Sequence, residues 1–347
     1  MIDGYSIRLL LISDTHGRLR IINELASHVQ ADAVIHAGDF GFYDDGSYGR
    51  LSARELRLQV VHSDLSRSDK ERILDLSPDE RIVAAREILP LSEFPAYIEG
   101  RRNFSVPVYA VWGNHEDKDV VERLFRGDIQ VKNLHILHHR RTYKVGPVLI
   151  YGLGGNFLAG SKLLQRPIAG GAGKIWSTLV QYRDLVEAID KEADWPGLRI
   201  FVSHVSPGKE PFMELVGVRT RAGFTISGHM GVPTCMVWNP FAVSSLEEAE
   251  KRLRNGLDDV RNACTGNARP EAEWVEQAFS VLGRIPEDTI DIGRGIKVPR
   301  WYRRMTHVNL PDVHVGYAVM DIDEEGTKLQ TFITNPRVSG VGRTQRR

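Results

Sequence analysis

The stretch IRLLLISDTHG, residues 7–17, places an apolar run directly before a cluster of small and polar residues. The same pattern recurs in ADAVIHAGDFG (31–41), VPVYAVWGNHE (106–116), GPVLIYGLGGN (146–156), LRIFVSHVSPG (198–208) and FTISGHMG (224–231). Helical periodicity begins after these clusters. Apolar runs without alternation indicate strands buried on both faces, as in a layered sheet covered by helices. The sequence therefore predicts an α/β fold.

Length, charge and cysteine content narrow the class of protein. The chain has 347 residues, of which 42% are hydrophobic, so it can bury a substantial core. Lysine plus arginine (45) balances aspartate plus glutamate (45), so no overall field draws the chain to nucleic acid or to an anionic membrane. The first apolar run is too short for a signal peptide or a membrane span, and Cys235 and Cys264 form no CxxC pair. We expect a cytoplasmic protein with reduced thiols.

Two charged segments interrupt the strand pattern. In LSPDERIVAAREIL (76–89), Ser77 and Glu80 form a capping box, and SSLEEAEKRLRNGLDDV (244–260) has a helix start at Ser244 or Ser245. We predict a single domain over residues 1–335 with two mainly helical insertions, at about 42–104 and 234–300. HVGYAVMDIDEEGTKLQTFIT (314–334) predicts a hairpin, and residues 336–347 predict a basic, flexible tail.

Five of the predicted strands end in side chains that can bind metal ions. These residues are Asp14, His16, Asp39, Asn114, His115, His204 and His229. Each has an ordinary explanation alone, as a helix cap, a turn residue or a buried histidine, but such residues would not all fall at one edge of a sheet. Carboxylate, amide and imidazole donors suit divalent first-row transition metals. Because the donors exceed the needs of one tetrahedral ion, two ions ~3.5–4 Å apart that share a bridging carboxylate fit better.

Five short motifs carry a resemblance to a known family. They are DTH (14–16), GD (38–39), GNHE (113–116), SH (203–204) and GH (228–229). In this order they resemble the signature of the calcineurin-like metallophosphoesterase superfamily, over residues 7–231, and the hairpin at 316–334 is similar to the last strands of that family. The resemblance implies a four-layer α/β/β/α sandwich of two mixed β-sheets and a dinuclear metal site.

The resemblance also implies a role for each motif residue. Asp14 and His16 would bind the first ion, Asp39 would bridge both ions, and Asn114, His204 and His229 would complete the second site. The resemblance assigns catalysis to Asp39 and to His115, the latter as general acid or electrostatic stabiliser. For Glu116, an orienting or a solvated role is as consistent as a catalytic one.

One position departs from the family pattern. Most of the superfamily has Gly-His-x-His at the last motif, where the second histidine binds the first ion, whereas this chain has Gly231. Three explanations compete. Water fills the position, His307 or His314 replaces the histidine, or the first site is weak. We favour water, because the other motif residues are all present.

The implied activity is hydrolysis of a phosphoester. Two divalent ions, such as manganese, iron or zinc, would neutralise the phosphate, a hydroxide held between them would attack phosphorus in line, and His115 would assist the leaving oxygen. The GDxxDRG stretch of Ser/Thr phosphoprotein phosphatases is missing, since Phe40, Gly41 and Phe42 follow the GD motif. We therefore expect a phosphodiesterase or phosphomonoesterase acting on a small molecule or a nucleic acid. The alternatives are a nuclease and a non-catalytic scaffold of the same fold.

Overall fold

The computed structural model describes residues 5–63, 65–229, 236–265 and 272–333. In chain order, the strands are β1 (Ser6–Ile12), β2 (Ala33–Ala37), β3 (Val108–Val111), β4 (Leu134–Ile136), β5 (Tyr143–Val145), β6 (Val148–Leu153), β7 (Ala169–Gly171), β8 (Lys174–Trp176), β9 (Leu198–Ser203), β10 (Phe224–Ser227), β11 (Met236–Trp238), β12 (Thr289–Asp291), β13 (Lys297–Pro299), β14 (Thr306–Asn309), β15 (Gly316–Asp323) and β16 (Gly326–Ile333).

The helices surround these strands. They are α1 (Arg20–Val29), α2 (Ser47–Arg50), α3 (Ala53–His62), α4 (Arg67–Leu74), α5 (Pro78–Ile88), α6 (Phe94–Ile98), α7 (Lys118–Arg126), α8 (Leu179–Asp190), α9 (Pro211–Arg219), α10 (Leu246–Thr265), α11 (Ala272–Leu282) and α12 (Arg300–Arg304), with a 3₁₀ turn at Pro240–Val243. Among the described helices, none combines the length and the apolar character that crossing a membrane requires.

Two six-stranded mixed sheets form the centre of the fold. Their strand orders are β16-β15-β1-β2-β3-β4 and β11-β14-β10-β9-β6-β5. Strands β1 to β4 run parallel in the first sheet, and β6, β9, β10 and β14 run parallel in the second. Antiparallel strands flank both parallel groups. The predicted pair of mixed sheets is confirmed, and so is the closing hairpin, β15–β16.

The continuous apolar run of β1 is explained by two separate cores. Leu9 and Leu11 are fully buried between the two sheets, where they share a cluster with Ile200 of the second sheet. Leu10 and Ile12 point to the opposite face and pack with residues of α1 and α7. Each such side chain contributes about 1.5–3 kcal/mol when fully buried. With helices on both outer faces, the four-layer α/β/β/α architecture is confirmed.

The first helical segment, α2 to α6, lies between β2 and β3 and has a small core of its own. Leu56, Val60, Ile73 and Ala85 are among the residues buried there. The predicted capping box exists, since the backbone N–H of Ser77 donates to Glu80 Oε2 at 3.1 Å. This segment reaches the ends of the parallel strands, where it forms one wall of the site described below.

The second helical segment packs on the outer face of the second sheet. Leu253 and Val260 of α10 and Phe279 of α11 join the core that Phe201 of β9 forms with α8 and α9. Of the two predicted start residues for α10, Ser245 accepts the backbone N–H of Glu248 at 3.1 Å. The predicted tail at 336–347 lies outside the described residues.

Candidate metal centre

The loops after β1 and β2 bring Asp14, His16 and Asp39 together. One donor atom from each side chain lies within 4.8 Å of the other two. The backbone fixes this arrangement, because the N–H of Asp14 donates to Gly38 O and the N–H of His16 donates to Asp39 O, both at 2.9 Å. The three residues are buried or nearly so. A cation at their centre would meet two carboxylates and an imidazole, a donor set that suits a divalent ion.

A second group of donors adjoins the first through Asp39. His204, fully buried, has Nε2 at 2.8 Å from Asn114 Oδ1 and 3.5 Å from Asp39 Oδ1, while its Nδ1 lies 2.9 Å from Ala37 O. A carbonyl oxygen only accepts hydrogen bonds, so Nδ1 carries a proton and Nε2 is the ring nitrogen that faces the other two oxygens. Metal-binding histidines have this arrangement, with the second ring nitrogen donating to a backbone carbonyl.

His229 adjoins both groups. Its ring centroid lies 4.9 Å from that of His204, and its backbone N–H donates to Asp14 Oδ2 at 3.3 Å. Burial, together with the charge of His204, lowers the pKa of the His229 imidazole to about 4. At neutral pH the ring is therefore uncharged and has a nitrogen lone pair. The structure thus brings the six predicted ligands into two adjoining groups at one edge of the fold, whereas their binding of ions stays a prediction.

Four of the predicted ligands have a left-handed backbone. Asp14, His16, Asp39 and His229 have φ of 57°, 46°, 49° and 55°. Residues other than glycine adopt this region rarely, at a cost on the order of 1–3 kcal/mol each, and they cluster at functional sites. Four such residues among six predicted ligands are the clustering that a functional site predicts.

Two motif glycines are required for the close approach of the loops. A Cβ atom at Gly113 would lie 1.9 Å from Asp39 Oδ1, and one at Gly228 would lie 1.9 Å from Ser13 Oγ and 2.7 Å from Asp14 Oδ2. Any side chain at these positions would displace a candidate ligand. The glycines of the GNHE and GH motifs therefore have a steric role in the site.

Electrostatics within the first group reflect crowded charges. Burial raises the pKa of the Asp14 carboxyl to about 6. Burial disfavours the charged form of Asp39, but neighbouring imidazoles, chiefly His204, outweigh it and lower the pKa of the Asp39 carboxyl. Burial likewise disfavours the charged form of His16, but the carboxylates of Asp312, Asp39 and Asp14 raise the pKa of its imidazole to about 9. Protons bound to Asp14 and His16 thus stabilise the crowded carboxylates of this group, and a metal ion could replace these protons.

His115 faces the same pocket and is held by a residue that the sequence did not predict. Its Nδ1 lies 2.6 Å from Oε2 of the buried Glu55, in the first turn of α3, and its backbone N–H donates to Asp39 Oδ1 at 2.9 Å. Tyr43 donates its hydroxyl to His115 O at 2.6 Å. Against the effect of burial, the Glu55 carboxylate raises the pKa of His115. No local sequence pattern distinguishes Glu55, which is one acid among many in a charged segment.

Glu116 has an orienting role. Its carboxylate is fully buried and accepts the backbone N–H groups of Phe40 at 2.7 Å, Gly41 at 3.1 Å, Phe42 at 2.6 Å and Gly113 at 3.3 Å. It therefore fixes the loop after β2, which carries Asp39. The solvated role is excluded by this burial.

Asp312 is a further acidic residue at the site, and it also was not predicted. Its Oδ1 lies 3.7 Å from His16 Nε2, and both side chains line the pocket.

The two histidines considered as a replacement ligand lie elsewhere. His307 is part of β14, with Nδ1 2.5 Å from Thr225 Oγ1, and His314 is exposed beside Asp312. Neither histidine lines the pocket, so the proposed replacement by one of them receives no support. Gly231 lies outside the described residues.

The pocket above these side chains has a volume of about 390 Å³. Its lining consists of Asp14, His16, Asp39, Leu58, Gln59, His115, Lys209, His229 and Asp312. Lys209 supplies positive charge, with Nζ 3.1 Å from His229 O. A neighbouring cavity of about 280 Å³ shares His16 and Gln59 with it and has an apolar wall that includes Leu65 and Leu89. The arrangement can bind an anion over a cation site and leaves room for an attached organic group.

Comparison with family models matches residues 7–230 to calcineurin-like phosphoesterase. Among solved structures, the chain is similar to a dimetal phosphatase from Danio rerio, at 9% identity over 95% of this chain and 99% of that one, with a TM-score of 0.40. It is also similar to the NAD nucleotidase of Haemophilus influenzae, at 10% identity over 95% of this chain and 50% of that one, with a TM-score of 0.38. Such weak likenesses say nothing about chemistry. A comparison with curated proteins finds no match.

Proposed function

We propose that this chain, which belongs to the calcineurin-like phosphoesterase family, is a hydrolase that cleaves a phosphodiester or phosphomonoester with two divalent metal ions. The observation that carries the proposal is the environment of His204. Its Nε2 faces the oxygens of Asn114 and Asp39 at 2.8 and 3.5 Å. This buried group of acceptor atoms needs positive charge among them. A divalent cation held by all three residues would supply that charge in place of a proton on the ring.

The donor set fits two ions that share one ligand. Asp14 and His16 would hold the first ion, and Asn114, His204 and His229 the second. Asp39 lies between the groups and would contact both. When bound, the ions would neutralise the phosphoryl oxygens and lower the pKa of a water molecule. Oxygen and nitrogen donors without thiolate suit manganese, iron or zinc.

His115 would act on the leaving group. Because its Nδ1 is bound to Glu55, Nε2 is the ring nitrogen available to a substrate in the pocket. The raised pKa of His115 favours the imidazolium form, which donates a proton or a hydrogen bond to the departing oxygen. Glu55 would orient the ring and stabilise its positive charge, in the way that a carboxylate supports a catalytic histidine elsewhere. A non-catalytic scaffold has no need of this pair.

Lys209 and the adjoining cavity would select the substrate. The ammonium group at the pocket rim attracts a phosphate, and the apolar wall formed by Leu65 and Leu89 accommodates an organic substituent. The α3 helix contributes to both walls through Gln59. We further propose that both insertions belong to one domain over residues 1–335, since α3 lines the site and α10 packs into the core of the second sheet.

The test is hydrolysis of bis-p-nitrophenyl phosphate and p-nitrophenyl phosphate with added Mn²⁺. We expect turnover of at least one ester by the wild type, and its loss in Asp39→Asn and His115→Ala. Asp75→Asn, which removes the charge of an exposed aspartate in the first insertion, should leave turnover unchanged. Cleavage of single-stranded or branched oligonucleotides under the same conditions would identify a nuclease. A wild type that binds Mn²⁺ and hydrolyses none of these substrates would support the scaffold alternative.

A further inference from the structure

Asp312 follows the same structural rule as the predicted ligands. Strand β14 runs parallel to β10, with Asn309 opposite Ser227, so both strands end at the edge that carries the site. The backbone N–H of Leu310 donates to Ser227 O at 2.8 Å and extends this pairing. Asp312 comes two residues later, and its own carbonyl accepts the N–H of Val315 at 2.8 Å. The position of Asp312 is therefore fixed by the sheet.

The carboxylate of Asp312 has the separation expected for two ligands of one ion. Its Oδ1 lies 3.7 Å from His16 Nε2, which lies 3.9 Å from Asp14 Oδ1. Both distances are too long for a hydrogen bond. Two donor atoms that each lie about 2.0–2.2 Å from a common ion are about 3–4 Å apart. The Asp312 side chain is 39% exposed, so it has room to turn towards an ion held by Asp14, His16 and Asp39.

We propose that Asp312 is a ligand of the first metal ion, at the position for which the sequence left water, a histidine or a weak site as alternatives. The inference rests on the proposed function, because it takes a first ion at Asp14, His16 and Asp39 as given. His314, with Nε2 at 3.7 Å from Asp312 Oδ2, flanks the carboxylate on the side away from His16 Nε2. The competing explanation is that Asp312 serves only as an anionic partner of a protonated His16.

The experiment is calorimetric titration of Mn²⁺ and Zn²⁺ into the metal-free full chain, for the wild type, Asp312→Asn and Asp312→His. The matched control is Asp75→Asn, an exposed aspartate remote in sequence from the ligands. We expect two ions in the wild type and in the control. Asp312→Asn should weaken one of the two by about tenfold or more and leave the other unchanged. Thermal unfolding of the metal-free variants checks that the fold is intact.

Asp312→His separates the two explanations. A histidine can bind an ion but cannot act as an anion beside His16, so we expect it to restore binding of two ions. It should also shift the preference from Mn²⁺ towards Zn²⁺, since imidazole is the softer donor. Unchanged binding in Asp312→Asn, or a histidine variant that binds no better than the asparagine one, would overturn the inference. A wild type that binds no ion would overturn the proposed function as well, whereas one that binds two ions without hydrolysis would leave the Asp312 result decisive on its own.

Discussion

The carboxylate of Glu55 lies 2.6 Å from Nδ1 of His115, although 60 positions separate the two residues in the chain. The contact depends on the hairpin β7–β8, since the N–H of Ser52 donates to Ala172 O at 3.1 Å and fixes the start of α3. Lys174 of the same hairpin places Nζ 3.4 Å from the other Glu55 oxygen. The first insertion thus supplies the buried partner of the histidine that faces the pocket above the candidate metal centre.

Replacing Glu55 with glutamine should reduce kcat by about 10- to 100-fold, because the amide keeps the shape but not the charge that supports the imidazolium. If His115 protonates the leaving oxygen, the loss grows with the basicity of the leaving group. Rates for a series of substituted phenyl phosphate esters measure this dependence. Glu71→Gln, which removes an exposed carboxylate paired with Arg67 on α4, is the control. An equal loss for every leaving group would speak against the role of Glu55.

Replacing Lys209 with methionine should raise KM by about five- to tenfold and change kcat little. Lys209 is an exposed residue of the pocket lining, whereas Asp14 and Asp39 are buried. Its ammonium group would therefore contribute a charge-assisted contact to a bound phosphate from outside the buried metal centre. Steady-state kinetics at several salt concentrations measure the effect, which salt should diminish. Lys132→Met, at another exposed lysine, controls for the loss of one surface charge. A fall in kcat at unchanged KM would contradict this assignment.

The strand ends could be predicted from the sequence, because each combines a buried apolar run with a motif of fixed spacing. Asp14, Asp39 and His204 lie where that pattern put them. Glu55 could not be found in this way, because only the packing of α3 against β7–β8 brings it to His115. Asp312 carried a weaker signal, because the strand in THVNLPD (306–312) is short and lacks the continuous apolar run that precedes the other motifs.

Acid should destabilise the protein through His307. Burial lowers the pKa of this imidazole from 6.5 to about 4, so the folded state binds fewer protons than the unfolded state between these values. Stability is then highest above pH 6.5 and falls by about 3 kcal/mol as the pH drops to 4. Denaturant unfolding from pH 8 to pH 4 measures how the free energy of unfolding changes with pH in the wild type and in His307→Gln, which should show the smaller change. At pH 8 the histidine is neutral in both states, so the difference in unfolding free energy between the two proteins there isolates the packing effect. An equal pH dependence in the two proteins would refute the prediction.

Gly113→Ala should abolish metal binding and hydrolysis together. The backbone of Gly113 has no positive φ, so the obstacle to an alanine there is steric, and the nearest atom is Asp39 Oδ1, which would lie 1.9 Å from the new Cβ. Asp39 must move, and overpacking of this kind costs about 1–3 kcal/mol. Gly49→Ala is the matched control, since a Cβ at Gly49 in α2 meets no atom within 4 Å and should be neutral or slightly stabilising. Thermal unfolding and Mn²⁺ titration of both variants separate loss of the site from loss of the fold. Retention of both ions in Gly113→Ala would mean that Asp39 does not hold the position on which the two-ion site depends.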